Sequence, residues 1–199
     1  MSIISIKQRL IDPELLLTAY CNGFFPMAEP QTGEIRWYSP NPRCIFELDE
    51  FHVPRSLKQL IKKRNYEIKI DKAFRDVIEG CANRTETWIS DVIINSYIEL
   101  YKLGFAHSVE VWINNELAGG LYGVAIKGAF FGESMFTKVK NASKIALVHL
   151  VNRLKERGYL LLDTQFITPH LAMFGAKEIP RQEYLKRLKE AMNINCSFI

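Results

Sequence analysis

The stretch SVEVWINNELAGGLYGVAIKGAFFGESMF, residues 108–136, decides the fold. It holds three strand candidates in succession: SVEVWIN (108–114), LAGGLYGVAI (117–126) and AFFGESMF (129–136). The first alternates its side chains, as a half-buried strand does; the second and third are apolar and punctuated by glycine, as buried strands are. Downstream, Asn141 to Arg157 reads as a long helix leading into YLLLDTQ (159–165), a strand rich in leucine. Strands that meet in sequence, then a helix returning to another strand, predict an α+β fold: a mixed sheet with helices on its faces.

Working upstream, helices are predicted over Pro54–Lys63, Asp71–Gly80 and Ser90–Leu103, with a strand at Tyr66–Ile70. A last helix is predicted from Pro180 to Met192. Near the N-terminus, DPELLLTAYCNGFF starts a short helix with Asp12 as cap and Pro13 in the first turn. A turn-rich region with Pro26, Pro30, Pro40 and Pro42 follows, holding short strands around Ile35–Tyr38 and Cys44–Leu48. Residues 1–50 thus read as a small N-terminal domain, leaning on a larger domain over 51–199.

The 199 residues are 48% hydrophobic and 24% charged, ordinary for a globular protein. The N-terminal apolar stretches are broken by Lys7, Arg9, Asp12 and Pro13, so no secretory signal is read there. No apolar run is long enough for a membrane span, and a cytoplasmic protein is expected. The four cysteines form no CxxC pair and have no histidine at zinc-ligand spacing, so no metal site is expected. A net charge of +4 allows a polyanionic partner without requiring one.

Four features can carry chemistry. Asp163 and Gln165 stand at i and i+2 at the end of the leucine-rich strand, on one face, where α/β sheets open ligand crevices. A turn-capping Asp163 is the plain alternative. Glu133 lies among Gly132, Phe130, Phe131, Met135 and Phe136; a carboxylate there loses solvation and needs a donor or cation. Arg55, Lys58 and Lys62 fall at i, i+3 and i+7, one face of a helix, with Lys63 and Arg64 beside them and Leu57, Leu60 and Ile61 opposite. That face is either solvated or tracks a nucleic-acid backbone. Trp37, Tyr38, Trp88, Tyr97 and Trp112 are candidates for base stacking or core filling.

Taken in order, the segments AYCNGFFPM, WYSPNPR, FHVPRSL, FRDVIEGCA, TWIS, AHSVEVW, LAGGLYGVA, FGESMF, NASKIAL, LLDTQ and FGAKEIPR resemble the signature blocks of the leucyl/phenylalanyl-tRNA–protein transferases. The resemblance runs from about Asp12 to about Leu188. It implies an N-terminal domain packed on an acetyltransferase-like domain. It implies transfer of Leu or Phe, and less well Met, from aminoacyl-tRNA to proteins that begin with Arg or Lys, forming an N-degron. Catalytic weight falls on Asp163, Gln165 and Glu133. The transferred side chain is expected against Leu121, Phe130, Leu147, Leu150 and Leu162, with Met27, Trp88, Tyr97 and Ser134 as further substrate contacts. Arg55, Lys58 and Lys62 match positions that hold the tRNA backbone. An aminoacyl ester is already activated, so no cofactor is expected, and the protein is expected to act as a monomer.

Two departures stand out: longer relatives carry an extension ahead of Asp12, and Met27 stands where some have Trp. An acetyl-CoA-dependent acyltransferase is the main rival reading, but ESMFTKVKNASK has no glycine-rich turn to cradle a pyrophosphate. An RNA-binding module is the other, and it leaves Asp163, Gln165 and Glu133 unexplained.

Overall fold

The computed structural model describes residues 9–63 and 65–199; the readings that rest on Lys7 and Arg64 lie outside these. Helix α1 (Pro13–Cys21) begins where the Asp12 carboxylate accepts the N–H groups of Glu14 and Leu15. It ends at Gly23, whose φ of 80° is open to glycine at little cost. Strands β1 (Phe25–Ala28) and β2 (Ile35–Tyr38) then pair antiparallel as a small separate sheet.

Strand β3 (Arg43–Phe46) belongs elsewhere. After it come α2 (Arg55–Lys63), β4 (Glu67–Ile70), α3 (Phe74–Ala82) and α4 (Asp91–Lys102). The decisive stretch forms β5 (Ala106–Ile113), β6 (Glu116–Ile126) and β7 (Ala129–Thr137). Helix α5 (Ala142–Glu156), β8 (Leu161–Gln165), α6 (Pro169–Ala172), β9 (Lys177–Ile179) and α7 (Arg181–Ala191) complete the fold. The large sheet has the order β4-β5-β6-β7-β8-β3-β9. Strand β3, inside the segment expected to form the small N-terminal domain, is therefore built into the large sheet between β8 and β9. The α+β fold with a mixed sheet is the one observed.

Two-residue turns make β5, β6 and β7 a meander. Asn114 and Asn115 both have positive φ (51° and 63°), the geometry whose twist suits adjacent antiparallel strands. The β6–β7 register shifts between Tyr122, opposite Ser134, and Gly123, opposite Gly132, which leaves Glu133 as an extra, bulged residue. Gly123 is required there, because a Cβ would lie 2.3 Å from the Phe131 carbonyl oxygen and 2.4 Å from the Phe130 ring.

One apolar layer, with Leu16, Phe74, Ile93, Phe131 and Leu188, covers one face of the sheet; another, with Leu57, Val109, Leu147, Leu150 and Leu162, covers the other. The helix expected from Asp71 begins only at Phe74. Asp71 is held in a left-handed conformation (φ 56°), its carboxylate accepting the Ser108 N–H at 2.7 Å and meeting His107 Nδ1 at 2.7 Å. The short elements β1, α6 and β9 had no counterpart in the sequence pattern.

Candidate active site

Strands β7 and β8 run parallel only as far as the pair Phe131 and Asp163. Beyond it β7 continues to Thr137, β8 ends at Gln165, and a cavity of about 660 Å³ opens between them. This gap lies at the C-terminal end of β8, where α/β sheets place ligands. Its apolar wall is built by Leu121, Met135, Leu147, Leu150 and Leu162. Leu147 and Leu150 share it because three residues bring side chains to one helix face. The opposite side carries Phe25, Met27, Arg84 and Trp88. The Ala28 N–H donates to the Trp88 carbonyl at 3.1 Å, tying the small β1–β2 sheet to the loop that holds the indole.

The polar centre has two levels. Asp163, wholly buried, lies behind the wall in an ion pair with Arg43, which is also wholly buried. Arg43 Nε donates to Oδ1 at 2.9 Å and Nη2 to Oδ2 at 2.6 Å, the fork geometry that gives arginine–carboxylate pairs their strength. The Tyr184 hydroxyl donates to Oδ2 at 2.9 Å. The guanidinium also lies over the rings of Phe25 (4.8 Å) and Tyr184 (4.5 Å) and donates to the Gly23 carbonyl. The remaining valence of Asp163 Oδ1 accepts the backbone N–H of Gln165 at 2.9 Å. Gln165 has φ of 60°, a conformation costly for a side chain other than glycine and found where the surroundings enforce it.

Nearer the cavity, Gln165 Nε2 donates to Glu133 Oε1 at 3.3 Å. The Tyr20 hydroxyl donates to Oε1 at 2.7 Å and that of Tyr97 to Oε2 at 3.1 Å, and the two hydroxyl oxygens also lie in close contact with each other. Burial pushes the Glu133 carboxyl up to about 7; the Asp163 charge adds to that, while the tyrosine donors and Arg43 pull it down. Burial, with the neighbouring Glu133, holds both tyrosine hydroxyls well above their ordinary range. Tyr122, also on the wall, has a buried hydroxyl with no partner among the described residues.

Of the residues picked from the sequence, Glu133, Gln165, Leu121, Leu147, Leu150, Leu162, Met27, Trp88 and Ser134 meet at this cavity. Three others do not line it. Asp163 sits behind Gln165, and Tyr97 reaches the site through Glu133 and the cavity-lining ring of Tyr122. Phe130 is wholly buried against the Phe198 ring (centroids 5.2 Å apart) instead of on the wall. Asp163 and Gln165, expected on one strand face, are joined through the Gln165 backbone N–H, which the Asp163 carboxylate accepts. Arg55, Lys58 and Lys62 are exposed on α2, without an ion pair among the described residues. Sequence reasoning missed Tyr20, Arg43 and Tyr184. Arg43 at the head of the apolar run RCIF, a charge in a buried strand, was the available signal.

The family model for the leucyl/phenylalanyl-tRNA protein transferase matches residues 45–189, and the model for that family's N-terminal domain matches residues 9–41. A leucyl/phenylalanyl-tRNA–protein transferase of Gloeobacter violaceus is 54% identical over 188 residues, 94% of this chain and 97% of the relative. One from Herpetosiphon aurantiacus is 52% identical over 189 residues, covering 94% and 98%. Among solved structures, a conserved protein of unknown function from Bacteroides thetaiotaomicron aligns at TM-score 0.50 with 9% identity. That alignment covers 75% of this chain and 55% of the other, a likeness of fold alone.

Proposed function

The chain belongs to the leucyl/phenylalanyl-tRNA–protein transferase family, and from that premise we propose that it transfers an amino acid from aminoacyl-tRNA to the N-terminus of a protein. The observation that carries this reading is the cavity between β7 and β8, which joins an aliphatic wall to the Gln165–Glu133 pair. In the finer reading the donors are leucyl- and phenylalanyl-tRNA, with methionine transferred less well, and the acceptors begin with Arg or Lys. The new N-terminal residue then acts as an N-degron. The enzyme works as a cytoplasmic monomer, and among the described residues no helix is long and apolar enough to cross a membrane.

The side chain of the transferred residue lies against Leu121, Leu147, Leu150 and Leu162. Such a wall discriminates against smaller side chains by about 1–3 kcal/mol per methylene. Trp88 and Met27 flank the adenosine end, Met27 through a thioether contact. Ser134 lies next along the wall. The exposed Arg55, Lys58 and Lys62 hold the tRNA backbone.

The ester is already activated, so the protein's task is to align it with an amine. Holding both substrates supplies effective molarities of about 10⁵ M or more. Gln165 uses its N–H to meet Glu133, which leaves its amide oxygen to accept from the incoming amine and aim the nitrogen lone pair. Asp163 is a positioning residue: with Arg43 and Tyr184 it fixes the backbone on which Gln165 turns into the cavity.

The test is transfer of radiolabelled leucine from leucyl-tRNA, without ATP, to a protein beginning with arginine, beside one beginning with alanine. Label on the arginine protein alone is the expected result. No label on either, with tRNA binding intact, overturns the proposal.

A further inference from the structure

Formation of an amide from an amine and an ester moves one proton, from nitrogen to the leaving ribose oxygen. An amide side chain is too weak a base to take it, so Gln165 leaves this proton without a carrier. A group able to hold it stands beside that amide. Glu133 borders the cavity and forms a closed triangle of contacts with the Tyr20 and Tyr97 hydroxyls. Each hydroxyl has one proton. With Glu133 ionised, two protons serve three oxygen–oxygen contacts, so one contact lacks a hydrogen. A third proton completes the ring, and each oxygen–oxygen contact then holds one.

We propose that Glu133, backed by Tyr20 and Tyr97, is the proton carrier of the transfer reaction. This rests on the reading of the site as an aminoacyl transferase. The amine attacks the ester carbonyl and its nitrogen–carbon bond forms. The nitrogen loses a proton to the Glu133 carboxylate, and the proton passes to the ribose oxygen as the carbon–oxygen bond breaks. Glu133 returns to its starting state, and no oxidant, reductant or further reactant is consumed. Glu133 is catalytic in this step; Tyr20 and Tyr97 position it.

The charged and titratable groups around Glu133 are Tyr20 from α1, Tyr97 from α4, Tyr122 from β6, Asp163 from β8 and Arg43 from β3, with Arg84 across the cavity held to Ser134 and the Met135 carbonyl. Asp163 and Arg43 are committed to each other, so the tyrosines are the adjustable neighbours. Burial raises the Glu133 carboxyl to about 7, suited to gaining and losing a proton near neutral pH. The bulge aims Glu133 into this triangle: without the extra residue its neighbours would follow the plain strand alternation.

The experiment is the pH dependence of the single-turnover transfer rate, with one arginine-starting acceptor throughout, so that ionisation of the acceptor amine is common to all variants. Wild type is expected to lose rate below about pH 7 through Glu133 as well as through the amine. Glu133→Gln should be slower by about 10²-fold and lack the Glu133 limb. Tyr20→Phe and Tyr97→Phe each remove a donor to the charged carboxylate, so the limb should move to higher pH. A Glu133→Gln enzyme with the wild-type limb, or tyrosine variants that slow the reaction without moving it, would overturn the inference while transfer itself stands. A wild-type protein that transfers nothing at any pH takes down both this and the reading beneath it.

Discussion

The Asp163 carboxylate accepts the backbone N–H of Gln165 at 2.9 Å, and it does so while locked in a buried fork with Arg43. The two conspicuous residues of LLDTQ are thus one device: the acid fixes the backbone, and the amide does the reaching. Substituting Asp163 removes the support of the Gln165 backbone and the partner of Arg43.

Asp163→Ala strands a buried guanidinium, and Arg43→Ala strands a buried carboxylate. Breaking a buried pair from either side costs about 3–5 kcal/mol. Urea unfolding of both single variants and the double should give two large, similar losses and a double loss well short of their sum. Additive losses would mean that the pair is not a unit.

Gln165 holds a left-handed backbone at φ 60°. Gln165→Gly should be more stable than Gln165→Ala by about 1 kcal/mol, since only glycine adopts that conformation freely. Both variants should lose transfer activity. Equal unfolding midpoints would show that the turn relaxes when the amide is gone.

Glu133 also sets a pH dependence of stability. Its carboxyl rises from an ordinary 4.5 to about 7 in the folded protein, so the native state keeps a proton that the unfolded chain has released. Stability contributed by the neutral form is therefore present below about pH 4.5 and is lost as pH rises through about 7. Glu133→Gln should gain on wild type across that window by roughly 2–3 kcal/mol. Denaturant unfolding of both proteins at several pH values reads this directly; a constant difference would contradict it.

On the apolar wall, Leu150→Ala should favour phenylalanine over leucine by about tenfold, because the enlarged space suits the ring. It should also destabilise the fold by about 2–5 kcal/mol. Competition between the two charged tRNAs measures the first and thermal unfolding the second.

For the basic face, Arg55→Ala and Lys62→Ala should weaken tRNA binding, most at low salt. The slope of log affinity against log salt should fall by about 0.7–0.9 for each phosphate that is no longer neutralised. An unchanged slope returns α2 to solvent.

Much of this was legible in the sequence because it was local. The strand pattern through residues 108–136, the Asp12 and Ser90 helix starts and the leucines of α5 and β8 follow from short-range pattern. What was hidden depends on contacts across the chain. Arg43 and Asp163 are 120 residues apart, and neither alone predicts the other. Strand alternation put Asp163 and Gln165 on one face, but the left-handed turn at Gln165 breaks that alternation and redirects the amide. The bulge at Glu133 likewise arises from its pairing with β6, and Tyr20 reaches it from a helix 113 residues earlier. Phe130, paired across the sheet with the cavity residue Leu162, packs against the Phe198 ring instead.

The most direct test of the proposed site is a crystal structure with a non-hydrolysable analogue, adenosine carrying leucine through a 3′-amide. The leucyl side chain is predicted among Leu121, Leu147, Leu150 and Leu162, with its carbonyl facing Gln165 and Glu133. An analogue seated elsewhere, with this cavity empty, would contradict it.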